Sequence, residues 1–333
     1  MSLGSIPTSD SVRLLSHLSY GVHPACEADV YLPPESRVDR RTTSPLVLYL
    51  HGGAWHIGNR TASEAPAKEL AREGYVVVAP SYSQTNLSRD QLLSLLWLQT
   101  IIILLFALAS GSLAQFLCMA CIWAGLSGLL LLLWATTDKE EVRHPAHIND
   151  VARAVAWARL HAPEWQANPD HIHVVGHSAG GHLASLLVTN TSYAQRHGVP
   201  PEVFKSCCAI SGVYSDKRLK QTRVGQSLLL NAFGDRHSYL DAFPLYHVTE
   251  ATPPVLLLNG GSDLGLKRHT LDFHYHLKQH HVYSKVEYFN HRSHWDIARE
   301  WGLNEANRAV CETVLSFLRE AEEYAQSQDT GSS

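Results

Sequence analysis

Ser178 stands in Gly176-His177-Ser178-Ala179-Gly180-Gly181, a G-x-S-x-G arrangement. The apolar run Ile172-His173-Val174-Val175 precedes it, and residues 181–188 have a helix former's composition. A strand, a sharp turn and a helix in that order push a serine hydroxyl out above a sheet. They also turn the next N–H, that of Ala179, toward the place a substrate carbonyl would occupy. Small residues flank the serine because the turn is strained. The chemistry on offer is nucleophilic attack on an acyl carbon, which requires a base, an acid and donors for the developing oxyanion. Taken alone, the same letters also describe a glycine-rich strand–helix junction with an incidental serine.

A base must take the serine proton, and a carboxylate must orient the imidazolium that results. In this arrangement the order along the chain is Ser, acid, His. Asp263, in Asn259-Gly260-Gly261-Ser262-Asp263, follows the strand-like run Pro254–Leu258 across small residues read as a turn, which brings it to the edge that carries Ser178. Asp241 and Asp272 are weaker candidates because neither follows a strand end. After the run Lys285–Phe289 come His291 and His294, in Asn290-His291-Arg292-Ser293-His294-Trp295-Asp296-Ile297. His294 is favoured because its longer loop can reach back over the serine, which leaves His291 as a polar loop residue. His51-Gly52-Gly53-Ala54-Trp55 follows the run Pro45–Leu50, and its glycines let backbone N–H groups face the oxyanion. The predicted donors are Gly53, Ala54 and Ala179, with His51, Gly52 and Trp55 bracing the loop and Gly176 and Gly180 shaping the serine turn.

The elements that position these residues alternate between short apolar runs and amphipathic stretches. Strands are predicted at 17–20, 28–32, 45–50, 75–79, 172–175, 206–210, 254–258 and 285–289. Helices are predicted at 62–73, capped by Gly74, and at 148–158, 224–232, 268–280 and 305–318. Continuous apolar strands alternating with helices imply an α/β fold with a mainly parallel sheet and right-handed crossovers. Residues 1–43 read as lead-in strands, 44–87 and 144–320 as one catalytic domain, and 326–333 as a disordered tail.

Residues 91–137 contain no charged side chain. Two apolar stretches, about 92–113 and 115–134, are each long enough for about 20 residues of helix, so the pattern predicts an inserted transmembrane hairpin. Trp97 and Trp134 near the outer ends fit interfacial anchors. The competing reading is a buried helical pair in an enlarged core. As a multi-pass hairpin the insert returns the chain to the side it left. It leaves the strand edge that carries ligand crevices in open α/β sheets, so the mouth of the site is expected near the bilayer.

Composition narrows the partners. Among 333 residues the formal charge is −4 with 17% charged residues, and no basic block stands out, so nucleic acid is not an expected partner. Cys207-Cys208 adjoin in an apolar run and Cys118-x-x-Cys121 has no second pair nearby, which predicts neither a zinc site nor a disulfide framework. A reduced, cytosol-facing catalytic domain follows, with the endoplasmic reticulum one candidate membrane. The N-terminus has no pattern of a cleaved signal peptide, and position 2 is not Gly. Asn86-Leu87-Ser88 and Asn190-Thr191-Ser192 are acceptor triplets that count only in a lumenal domain. Of 21 histidines, His276 and His280 are four apart but have no carboxylate at ligand spacing, so no metal site is predicted, and the chemistry needs no cofactor.

With these residues laid out, the chain resembles the α/β-hydrolase superfamily over about residues 44–87 and 144–320. Within it, the chain is similar to the carboxylesterases that include kynurenine formamidase (arylformamidase) and the prenylcysteine methylesterases. Gly176–His182 and His294-Trp295-Asp296-Ile297 look formamidase-like, while His51-Gly52-Gly53-Ala54-Trp55 is closer to the methylesterases. The resemblance implies a triad of Ser178, Asp263 and His294. Soluble formamidases lack the hairpin. The expected protein is therefore a membrane-held serine esterase acting on a small-molecule or lipid ester, such as a prenylcysteine methyl ester. Arylformamidase is the alternative within enzymes, and a catalytically silent membrane scaffold is the alternative outside them.

Overall fold

A computed structural model of the chain describes residues 11–38, 43–86, 89–110, 112–136, 142–235, 239–299, 301 and 305–331. The strands are β1 (Arg13–Ser19), β2 (Glu27–Leu32), β3 (Ser44–Leu50), β4 (Val76–Pro80), β5 (Ala167–His177), β6 (Phe204–Ile210), β7 (Val255–Ser262) and β8 (Ser284–Ser293). The α-helices are α1 (Glu64–Arg72), α2 (Arg89–Ser110), α3 (Leu113–Thr136), α4 (Ala146–His161) and α5 (Ala179–Thr189). They continue with α6 (Ser192–Gln195), α7 (Asp216–Leu219), α8 (Arg223–Phe233), α9 (Lys267–Gln279), α10 (Asp296–Arg299) and α11 (Glu305–Gly331).

The eight strands form one sheet in the order β1-β2-β4-β3-β5-β6-β7-β8. The two pairings that involve β2 are antiparallel, and every later pairing is parallel. This is the mainly parallel sheet that the alternation predicts. Side chains alternate between faces along a strand, and both faces of this sheet are covered. Leu46, Leu48, Leu50, Val174 and Cys207 join one core with residues of α4, α5 and α8. Val47, Tyr49, Val175 and Cys208 join the other, with residues of α1 and α11. That accounts for the unbroken apolar runs, and for the adjacent cysteines, which point to opposite faces. Each fully buried Val or Leu contributes about 1.5–3 kcal/mol. Gly74, with φ +99, ends the first helix in the left-handed conformation predicted for it.

Three differences from the sequence reading stand out. Asn259–Ser262 is not a turn. β7 runs through Ser262, with Gly260 paired to Phe289 and Ser262 to Ser293. A Cβ on Gly261 would overlap the Asn290 carbonyl, so the glycines serve close strand approach, not chain reversal. At the C-terminus, α11 extends to Gly331 where a disordered tail is predicted from 326. Ala, Glu and Gln beyond its last core residue, Ala321, are good helix formers and carry the helix on.

The third difference is the hairpin. The chain divides into a body, Met1–Gln84 with Arg143–Ser333, and a second unit, Thr85–Val142. Within that unit α2 and α3 pack on each other, with Trp123 Nε1 donating to Thr100 Oγ1 at 3.0 Å. Many of its apolar side chains, Trp97, Ile102 and Leu105 among them, are exposed. Among the described residues, however, no helix is long and apolar enough to cross a membrane. The transmembrane hairpin is thereby overturned, and with it the multi-pass placement and the assignment of a membrane face. Freedom from charge is a weaker condition than the continuous apolar window a span requires. Gln99 and Thr100 in α2, and Gln115 and Ser127 in α3, are polar positions within those runs.

Candidate active site

Parallel neighbours in register bring their C-terminal ends to one edge of the sheet. The loop His51–Trp55 follows β3, Ser178 follows β5, Ser211 follows β6, Asp263 follows β7 and His294 follows β8. Each junction is tied to its neighbour. Ser178 N donates to Ile210 O at 2.8 Å, Ser211 N to Leu258 O at 2.7 Å, and His294 N to Ser262 O at 2.9 Å.

Ser178 adopts φ 54, ψ −116, a conformation costly for a non-glycine residue that brings the side chain out at the turn between β5 and α5. The turn closes because its neighbours lack side chains. A Cβ on Gly176 would overlap the Gly180 carbonyl, and one on Gly180 would overlap the carbonyl oxygens of Leu50 and His51.

The structure brings Ser178, His294 and Asp263 into one hydrogen-bonded line. His294 Nε2 lies 3.1 Å from Ser178 Oγ, and His294 Nδ1 lies 2.6 Å from Asp263 Oδ1. The other carboxylate oxygen, Oδ2, accepts from Ser211 Oγ at 2.8 Å, Asn259 Nδ2 at 2.6 Å and Gly260 N at 3.2 Å. Burial alone would raise the Asp263 carboxyl, but hydrogen bonds from His294, Asn259 and Ser211 outweigh it and hold the group below its usual range. Asp263 therefore stays an anion beneath the imidazole. His291 is exposed on β8 and takes no part, and Asp272 pairs with Arg218 at 2.7 and 2.9 Å.

The loop after β3 has the backbone a set of converging donors requires. Gly53, Ala54 and Trp55 all have positive φ, at +131, 52 and 64. The Gly53 carbonyl accepts from His56 N and Ile57 N, both at 3.0 Å. Ala54 and Trp55 are L-residues in the left-handed region, so something must hold them there. Trp55 is held by its indole, whose Nε1 donates to His182 Nδ1 at 3.3 Å. His182 Nε2 in turn donates to Ala242 O at 2.7 Å, which fixes the tautomer that lets Nδ1 accept. Phe233 packs against both rings, at 5.0 and 5.6 Å between centroids. His51 stacks on Tyr82 at 4.3 Å, and Tyr82 donates to the His51 carbonyl at 2.9 Å. A Cβ on Gly52 would come 3.1 Å from that of Ser178, which places this loop directly against the serine turn.

His177, His182, Ser211 and Asn259 are site-supporting residues that the motifs do not single out. His177 Nε2 donates to His294 O at 2.8 Å and steadies the loop that carries the candidate base. Its only sequence signal is its place between Gly176 and Ser178.

Four buried imidazoles near this edge have strongly depressed pKa values. Burial lowers His51 to about 4, and His147, His177 and His182 each to about 3. Unfolded, each takes its proton near pH 6.5, so between these values the unfolded chain binds more protons and stability falls as pH falls. At pH 5 each contributes a loss of about 2 kcal/mol. The thermal midpoint is therefore expected to drop steeply between pH 6.5 and 5. A flat midpoint across that window in scanning fluorimetry would contradict the buried-neutral assignment.

Comparison with known proteins gives the family. The chain matches the BD-FAE family over residues 28–90 and 136–270. It is similar to the probable carboxylic ester hydrolase LipM of Mycobacterium tuberculosis, at 27% identity over 259 residues, 74% of this chain and 47% of that protein. A shorter match is to the kynurenine formamidase of Danio rerio, 39% identical over 71 residues, 21% of this chain and 23% of that one. In fold it is similar to esterase B of Lactobacillus rhamnosis, with a TM-score of 0.68 at 18% identity, covering 96% of this chain and 90% of that one. The chain spans about half the length of LipM, or less of the other mycobacterial relatives it matches. The family match takes in β2 to β7, the His51–Trp55 loop, Ser178 and Asp263, and on it the chain belongs to the BD-FAE family.

Proposed function

We propose that this chain hydrolyses a carboxylic ester of a small molecule in two steps, through an acyl-enzyme on Ser178. The observation that supports it most is the unbroken line from Ser178 Oγ through His294 to Asp263. Ser178 Oγ attacks the ester carbonyl while His294 Nε2 takes its proton. The tetrahedral oxyanion is received by backbone N–H groups of Gly53, Ala54 and Ala179, each typically worth about 2.7–4 kcal/mol of transition-state stabilisation. His294 returns the proton to the departing alcohol. A water then repeats the sequence on the acyl-enzyme and frees the acid. Asp263 remains ionised throughout and holds Nδ1–H in place.

Amide hydrolysis of an N-formyl substrate is the second reading, favoured by the similarity to kynurenine formamidase. A hydrolysis panel separates the two. It contains p-nitrophenyl esters of graded acyl length, a prenylcysteine methyl ester and formylkynurenine. The ester reading expects the highest kcat/KM on an ester. A formylkynurenine kcat/KM above every ester would replace it with the formamidase reading, and turnover of none by folded protein would overturn both.

A further inference from the structure

The part of β5 remote from the serine turn carries a second cluster with chemistry of its own. His171 and His173 are two apart in β5, so both side chains lie on one face of the sheet. Glu322 of α11 completes the group, 149 positions beyond His173. His173 Nε2 lies 3.2 Å and His171 Nε2 3.5 Å from the same Glu322 oxygen, and the three candidate ligand atoms all fall within 4.8 Å of one another.

Zinc takes imidazole nitrogen and carboxylate oxygen at about 2.0–2.2 Å in a tetrahedron, which sets the ligand atoms about 3.3–3.5 Å apart. The two nitrogen–oxygen separations lie close to that edge. The ring of His173 is wholly buried and is oriented from behind by Ser206, its register partner on β6, with Nδ1 to Oγ at 2.8 Å. An outer partner that fixes ring orientation is the usual support of a ligating histidine. His171 Nε2 is buried as an atom and makes no hydrogen bond to any described residue. An ion pair with Glu322 leaves that nitrogen unsatisfied; coordination satisfies it. The side chains of His171 and Glu322 are each 26% exposed, which leaves an entry path and room for a solvent ligand.

We propose that His171, His173 and Glu322 bind one divalent ion of the zinc class, in a structural site that fastens α11 to the central strand. Ser178 lies five positions beyond His173, so the strand holds the cluster about 15 Å from the nucleophile, away from the ester chemistry. The local sequence shows no paired-ligand spacing, because a strand pair is completed by a residue on a distant helix.

Chelator-treated full-length protein, titrated with zinc chloride, tests this. One zinc per chain is expected, with a rise of several degrees in Tm at saturating metal. H171Q and E322Q are each expected to weaken Kd at least tenfold and to remove the absorption bands of the cobalt(II)-substituted protein. H276Q/H280Q, which removes another close imidazole pair, 4.7 Å between centroids, is expected to leave Kd unchanged. H171Q changes a partly exposed residue, so it keeps the test open should E322Q fail to fold. Unchanged zinc affinity in H171Q, loss of binding only in H276Q/H280Q, or no zinc binding by folded wild type would each overturn the site.

Discussion

Ser178→Ala is expected to lower kcat for ester hydrolysis by about four to six orders of magnitude, with the folded state intact. Alanine keeps the Cβ of a residue already held at φ 54, so the turn between β5 and α5 retains its shape. What goes is the hydroxyl and its bond to His294 Nε2 at 3.1 Å, a partly buried contact worth about 1 kcal/mol or less. The thermal midpoint should therefore hardly move while turnover collapses. Residual rate would come from the amides of Gly53, Ala54 and Ala179 acting on a water attack. A fluorophosphonate probe reads the same event: labelling of the wild type, absent in the variant. Folded wild type that takes no label would favour a silent scaffold over an enzyme. A variant with kcat within tenfold of wild type would remove Ser178 from the mechanism.

Asp263→Asn carries the second large effect, and the donors around the carboxylate dictate its direction. Oδ2 is surrounded by Ser211, Asn259 and the Gly260 amide, all donating toward it. An asparagine must turn its carbonyl oxygen to those donors, which aims its NH2 at His294. Nδ1 of His294 can then only accept, and the ring proton moves to Nε2, the nitrogen facing Ser178 Oγ. An imidazole in that tautomer cannot take the serine proton. The expected loss in kcat is about 10⁴-fold with KM little changed, measured on protein whose near-UV circular dichroism matches wild type. A loss under tenfold would mean that another carboxylate supports the base.

Ser178 and the His51–Trp55 loop are legible in the sequence because their chemistry is local: a turn that tolerates only small residues advertises itself within six letters. Asp263 and His294 are legible one step further, as residues placed just past apolar runs, since parallel strands deliver their C-terminal ends to one edge. The supporting shell is not. His177, His182 and Ser211 bond groups far along the chain, Asn259 bonds the Asp263 carboxylate four residues on, and no motif marks any of them. His182 makes the point, because its two bonds reach Trp55 and Ala242, 127 and 60 positions away. The strand extension at Gly260-Gly261 misleads for a related reason. Glycine marks both turns and close strand contacts, and only the position of β8 distinguishes them. The uncharged stretch at 91–137 misleads because a count of absent charges does not measure a continuous apolar window.

The junction at residues 84 and 143 has a consequence for how such a chain can change over generations. Just before the chain leaves the body, Ser83 N donates to Asp150 Oδ2 at 3.0 Å, and Asp150 Oδ1 takes Arg153 at 2.9 Å a turn further along α4. The two lips of the opening are thus joined through the Asp150 carboxylate of the body itself. Lengthening the excursion between them adds loop-closure entropy only logarithmically, about 0.6 kcal/mol for each doubling. The position is a docking port for inserted sequence, at which segments of very different length and composition can be exchanged while the sheet and its serine edge keep their register.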